Sequence, residues 1–127
     1  MSFELSQSSR RRLLGVHPAL VAVVEAAIAR SPVDFLVTEG VRTPERQAAL
    51  VAAGASRTRR SRHLTGHAVD VAALVDGRIR WDWPLYGRIA AAFKAAAQEL
   101  ETPIIWGGDW RTLRDGPHFE LDRRVFP

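Results

Sequence analysis

The 127-residue chain contains no cysteine. That absence excludes disulfides, thiolate zinc fingers, iron–sulfur clusters and a cysteine nucleophile together. Any metal must be held by His, Asp or Glu. No window approaches eighteen uninterrupted apolar residues, so neither a transmembrane helix nor stable membrane insertion is expected. The opening MSFELSQSSRRRLLG places its basic cluster after a polar stretch and lacks a long apolar core, so no signal peptide is expected. Lysine is nearly absent: of 18 Lys+Arg, only Lys94 is lysine. A GC-rich coding sequence accounts for that bias as readily as function does. With 14 Asp+Glu the net charge is +4, which favours polyanions (nucleic acid, acidic lipid, an anionic cell wall) without choosing among them.

What is present is the composition of an ordinary globular chain, 46% hydrophobic and 25% charged. No internal repeat, low-complexity tract or linker divides it, so residues 1–127 are expected to form a single domain. Ser6 can cap a helix reaching about Leu14, with Gly15 to end it. Pro18 opens a second helix whose Leu20, Val21, Val24 and Ile28 recur at helical spacing, and Ser31-Pro32 stops it. Residues 33–38 read as a buried strand, and Thr43-Pro44 opens a helix to Ala53 with Gly54 beyond it. Residues 55–67 lack periodicity and read as a loop. A strand over 68–75 meets the hairpin signal Asp76-Gly77 and a short strand, RIRW. The longest helix starts near Pro84, with Leu85, Ile89, Phe93, Ala96 and Leu100 as its stripe. Residues 103–106 and 118–121 are the last strands, joined by a polar loop containing glycine. Hairpins and grouped helices predict an α+β fold: a small, mostly antiparallel sheet with helices packed on one face.

Chemistry then rests on histidines and carboxylates. His63 and Asp70 would stand roughly 23 Å apart if extended, at about 3.3 Å per residue. Ligands of one zinc ion lie only about 2 Å from it, so the chain must fold back, and Gly66 can supply the backbone angles. On the strand that follows, Asp70 shares a face with Ala68 and Ala72 and needs a partner, either a metal or an arginine. His118 and Glu120 share one face of a later strand, while Phe119 points to a core. Asp115 precedes them on a turn stiffened by Pro117. Two His and one carboxylate with an open fourth position make a catalytic zinc arrangement, in which a free carboxylate takes the proton of an activated water.

Residues 61–70 meet the pattern Ser-x-His-x-x-Gly-x-Ala-x-Asp, and Asp-x-x-His follows at 115–118. Together they resemble the zinc D-Ala-D-Ala carboxypeptidase family. That family includes the vancomycin-resistance dipeptidases and carboxypeptidases, and phage endolysins that are L-alanyl-D-glutamate endopeptidases. The segments LSQSSRRRLLGVHPAL, VDFLVTEGVRTPERQAAL, GAS and WGGDW, with PHFEL, resemble the endolysin branch and extend the likeness over essentially the whole chain. The resemblance implies the D-Ala-D-Ala peptidase (hedgehog-type) fold and a Zn2+ cofactor held by His63, Asp70 and His118. It makes Asp115 the general base, where the vancomycin-resistance relatives have Glu. It makes Arg42 the arginine facing the substrate carbonyl, suited to a developing oxyanion. Ser61 aligns with a substrate-bonding serine.

Each residue has a plainer reading beside this one. His63 and His67 stand four apart as in zincins, but Thr65 and Gly66 are poor helix formers and no Glu follows His63. His67 is therefore expected to line the cleft, to support a ligand or to be structural, and His17 to be structural. Glu120 competes with Asp115 as base; otherwise it orients a ligand or Arg42. Trp106 and Trp110 suit a cleft wall or a core. The arginines at 57, 59, 60 and 62 suit a solvated loop or contact with anionic wall polymer.

The expected activity is zinc-dependent hydrolysis of the L-Ala–D-Glu bond of peptidoglycan stem peptides by a monomeric phage endolysin. It would stay in the host cytoplasm until lysis and have no separate wall-binding domain. The alternatives are a D-Ala-D-Ala carboxypeptidase or dipeptidase, and a basic binding module with a structural metal. Nucleic-acid binding is not expected, since no recognised motif for it occurs.

Overall fold

The computed structural model describes residues 2–56 and 61–127. Helix α1 (Gln7–Arg12) is capped by Ser6, whose side chain accepts from Ser9 N, and it ends one turn before Gly15. Helix α2 (Pro18–Arg30) follows, capped by the His17 side chain. Strand β1 (Asp34–Glu39) leads through Thr43, the next cap, into α3 (Pro44–Ala52). The stretch read as loop contains a 3-10 turn, Arg62–Thr65, capped by Ser61. Its sequence carries no apolar period, so only the cap could have announced it. Strands β2 (Ala68–Val75) and β3 (Arg78–Arg80) form a hairpin through Asp76 and Gly77, both at positive φ, as the Asp-Gly signal requires. Helix α4 (Trp83–Glu99), β4 (Ile104–Trp106), a second 3-10 turn (Gly107–Asp109) and β5 (His118–Leu121) complete the chain.

All strand pairs are antiparallel, in the order β1-β2-β5-β4 with β3 also paired to β2. Alternation divides the sheet into two unlike faces. Phe35, Val37, Val69, Val71, Ala73, Phe119 and Leu121 join residues of α2 and α4 in one core. The Phe93 and Phe119 rings stack there at 3.8 Å between centroids. Burying each such side chain contributes roughly 1.5–3 kcal/mol, so this face holds the fold together. The α4 stripe runs through Tyr86, Ile89, Ala90, Phe93, Ala96 and Ala97, whereas Leu100 is exposed past the helix end. Helix α3 contributes nothing to that core; its one buried residue is Gln47, which reaches Arg42 beside the opposite face.

The opposite face carries Asp70, His118 and Glu120. Asp70 lies across from Glu39 on one neighbouring strand and from His118 on the other. A bulge between Val37 and Glu39 changes the register just before that pairing, which is how bulges re-aim a side chain.

Candidate metal centre

His63 reaches the sheet because the 3-10 turn ends on Gly66, at φ 76°, whose missing Cβ avoids a 2.6 Å approach to Gly15 O. His63 is buried, and its Nδ1 lies 2.8 Å from the Gly40 carbonyl. A carbonyl only accepts, so Nδ1 carries the proton and Nε2 presents a lone pair. That Nε2 is buried without a hydrogen-bond partner and stands 3.3 Å from Asp70 Oδ2. Two electron-rich atoms therefore face each other, an arrangement a cation relieves.

His118 completes the group. Its Nδ1 is 3.2 Å from Asp70 Oδ1, and its Nε2 is 2.9 Å from Glu120 Oε1. One ligand atom from each of His63, Asp70 and His118 lies within 4.8 Å of the others. Two nitrogens and a carboxylate oxygen suit zinc and other borderline divalent ions. Without an ion, protons do the balancing. Burial disfavours the charged His118 ring, but hydrogen bonds to Asp70 and Glu120 raise its pKa to about 9. Burial likewise opposes the Asp70 charge, and hydrogen bonding to His118 outweighs it and holds that carboxyl well below the usual range.

The cluster opens into a cleft of about 470 Å³ whose lining includes Arg42, Ser61, His63, Trp110, Asp115 and His118. Asp115 is set by the strand-end turn: its N–H donates to Gly107 O at 3.0 Å, and its carbonyl accepts from His118 N at 3.2 Å. Burial, and then the negative Asp70, push its carboxyl above the ordinary aspartate value. Gly107 is indispensable to this packing, since a Cβ there would sit 2.3 Å from Asp115 O. The Trp106 indole donates to Gly116 O at 2.7 Å, so Trp106 braces the turn, while the Trp110 ring lies 5.0 Å from His118 in the cleft wall.

Arg42 also lines the cleft, firmly held. Its Nη2 donates to Glu39 Oε2 at 2.9 Å and to Asp70 Oδ2 at 3.0 Å, and Nη1 donates to Gln47 Oε1 at 3.0 Å. Glu39 and Gln47 were not singled out in the sequence, although Glu39-x-x-Arg42 after a strand is a readable acid–base pair. Ser61 Oγ accepts from His63 N at 3.2 Å, so its visible work is to shape the turn that carries a ligand.

His67 Nδ1 is 2.7 Å from Thr65 Oγ1 and its ring 5.5 Å from that of His17. One expectation changes. Arg62 is not solvated. It is turned inward and donates to Leu121 O at 3.1 Å and Phe126 O at 2.6 Å. Residues 57, 59 and 60 of the same arginine cluster lie outside the described residues.

An antiparallel α+β sheet with two buried histidines and a part-buried aspartate at one end of a cleft fits a metallopeptidase. The model of the phage L-alanyl-D-glutamate peptidase family matches residues 1–126, and the chain belongs to that family. The L-alanyl-D-glutamate peptidase of Escherichia phage T5 is 34% identical over 130 residues, spanning 99% of this chain and 94% of that protein. The crystal structure of Serratia marcescens L-Ala D-Glu endopeptidase ChiX superposes with a TM-score of 0.94 at 48% identity, covering 99% of this chain and 95% of that one. The vancomycin-resistance D,D-dipeptidase VanXYg, crystallised with a D-Ala-D-Ala phosphinate analog, shares the fold. Its TM-score is 0.50 at 20% identity, over 92% of this chain and 50% of that one.

Proposed function

We propose that this chain hydrolyses the L-Ala–D-Glu bond of peptidoglycan stem peptides with zinc bound by His63, Asp70 and His118. The observation that carries the reading is the partnerless, buried Nε2 of His63, aimed at Asp70 in a group of three ligand atoms. The names of the relatives supply the bond. His63 would hold the ion through Nε2, Asp70 through its carboxylate and His118 through Nδ1, the atoms already turned toward one another. Such an ion supplies Lewis acidity toward a carbonyl and makes water a nucleophile near neutral pH.

Asp115 is the general base. Its raised pKa lets it take a proton from the attacking water and return it to the leaving amine. Arg42 directs its guanidinium to the cleft, positioned by Glu39 and Gln47 to stabilise charge developing on the scissile carbonyl oxygen. Ser61 holds the His63 turn and offers its hydroxyl proton to substrate. Glu120 fixes the His118 ring.

The protein works as a monomeric catalytic domain. As in a phage endolysin, it waits in the host cytoplasm and meets the wall at lysis. Among the described residues, no helix is long and apolar enough to cross a membrane.

The test is mass spectrometry of fragments released from purified Gram-negative peptidoglycan. Peptides with free N-terminal D-Glu, lost with a chelator and restored by zinc, are expected. Release of D-Ala instead would move the cut to the D-Ala-D-Ala bond. Intact peptidoglycan after treatment with folded, zinc-loaded protein would overturn the reading.

A further inference from the structure

Glu120 is buried beside His118, and two arginines hold it there. Its Oε1 faces His118 Nε2 at 2.9 Å. Its other oxygen, Oε2, lies 3.8 Å from Arg62 Nε and 3.5 Å from Arg123 Nη2. The two arginines differ sharply: the Arg62 side chain is 12% exposed and that of Arg123 is 67%. Arg62 Nε has no hydrogen-bond partner of its own, so the pull of Glu120 is what that buried N–H has. The far end of the same guanidinium is tied to two main-chain carbonyls, Leu121 O and Phe126 O. Phe126 is in turn fixed by its N–H to Asp122 O at 2.8 Å and by an edge-on contact with His17 at 5.3 Å.

We propose that Arg62 is a positioning residue for the metal centre, acting through Glu120 on His118 and itself anchored by the carbonyls of the C-terminal segment. The inference rests on the zinc reading above. The anionic Glu120 oxygen selects the His118 tautomer with Nε2 protonated, leaving Nδ1 to face Asp70. Arg62 keeps that carboxylate in place inside the fold. A planar guanidinium can reach two carbonyls and a carboxylate at once, whereas an ammonium acts as a single point charge. Arg62 immediately precedes His63. One 3-10 turn therefore presents one ligand directly and steadies another from behind.

The experiment is zinc affinity, measured by competition with a chromogenic chelator. Full-length wild type is compared with Arg62→Gln, Glu120→Gln and the double variant, with metal-free melting temperatures recorded in parallel. Each single substitution is expected to weaken zinc binding by ~10–100-fold, the range for removing a partner behind a metal-bound His. The double variant should be no weaker than the worse single one. The visible spectrum of the cobalt-substituted protein should shift alike in both singles. Wild-type affinity in Arg62→Gln, or two losses that multiply in the double variant, would overturn the proposal. If Arg62→Gln does not fold, Arg62→Lys takes its place. It should weaken binding a few-fold in the wild type and not at all in the Glu120→Gln background; undiminished weakening there, or none in the wild type, sinks the idea. A wild type that binds no zinc would instead remove the metal centre itself, a separate result.

Discussion

Asp115 and Glu120 both lie within three residues of His118, and their surroundings drive them to different work. Burial and the nearby Asp70 charge raise the Asp115 carboxyl, so it exchanges protons closer to neutral pH. Burial opposes the Glu120 charge as well, but the hydrogen bond to His118 and the charges of His118, Arg123 and Arg62 outweigh it and keep that carboxyl low. Paired carboxylates pushed apart in this way support the proposal that Asp115 carries the proton and Glu120 gives electrostatic support. Asp115→Asn is accordingly expected to lower peptidoglycan cleavage by about 10²–10⁴-fold. Metal analysis of the same variant should still find one zinc per chain. Unchanged cleavage would transfer the base role elsewhere, with Glu120 the next carboxylate to try. A second substitution addresses placement rather than chemistry. Gly107→Ala puts a Cβ against Asp115 O and near the Asp115 and His118 side chains. Overpacking of this kind costs about 1–3 kcal/mol, readable in urea unfolding, and cleavage should fall with it if Asp115 is the base, because Asp115 moves.

Among the elements, β2 and α4 are joined by a contact that their apolar patterns do not show. The Tyr86 hydroxyl accepts from Ala73 N at 3.1 Å and donates to Arg80 O at 2.8 Å, tying the first turn of α4 to the β2–β3 hairpin. Tyr86→Phe would leave the buried Ala73 N–H without that partner. A loss of about 1–3 kcal/mol in denaturant unfolding is expected, with zinc binding retained. Tyr86 also shows what the sequence could and could not give. Helical spacing made Ile89, Phe93 and Ala96 legible as core, because burial by period needs only one helix. Tyr86 lies on the same stripe, but its hydroxyl partners, Ala73 N and Arg80 O, are on other elements, and no periodicity reports those. The same division runs through the site. His63, Asp70 and His118 were readable because a turn glycine, strand alternation and a spaced motif are local features. The inward Arg62 was not, since it acts across a long sequence separation on Leu121 O, Phe126 O and Glu120, whereas Glu39 and Gln47 lie three and five residues from Arg42 and only the shared partner marks them. Arg62 was further disguised by the three arginines that stand near it in the sequence.

For the molecule as a whole, the two sheet faces divide the labour between holding the fold and doing chemistry. Helices α2 and α4 cover the apolar face, and the charged face is left to the cleft. An ion on that face would join β2, β5 and the Arg62–Thr65 turn, so it binds only the folded chain. Mass action then predicts stabilisation by about 2.7 kcal/mol when free zinc exceeds its dissociation constant 100-fold. Calorimetry should show a melting temperature that climbs with zinc concentration and drops on chelation, and a temperature indifferent to both would contradict the ligand set. The sheet order carries one more consequence. Strand β5 is the last in sequence, yet it lies inside the sheet, between β2 and β4. During synthesis, β1 and β2 emerge long before the strand that brings His118 beside Asp70. A growing or broken chain that stops short of residue 118 has a half-made sheet and one ligand missing. The three-residue group therefore forms all at once, when β5 takes its place beside β2, and no fragment that lacks β5 can assemble it.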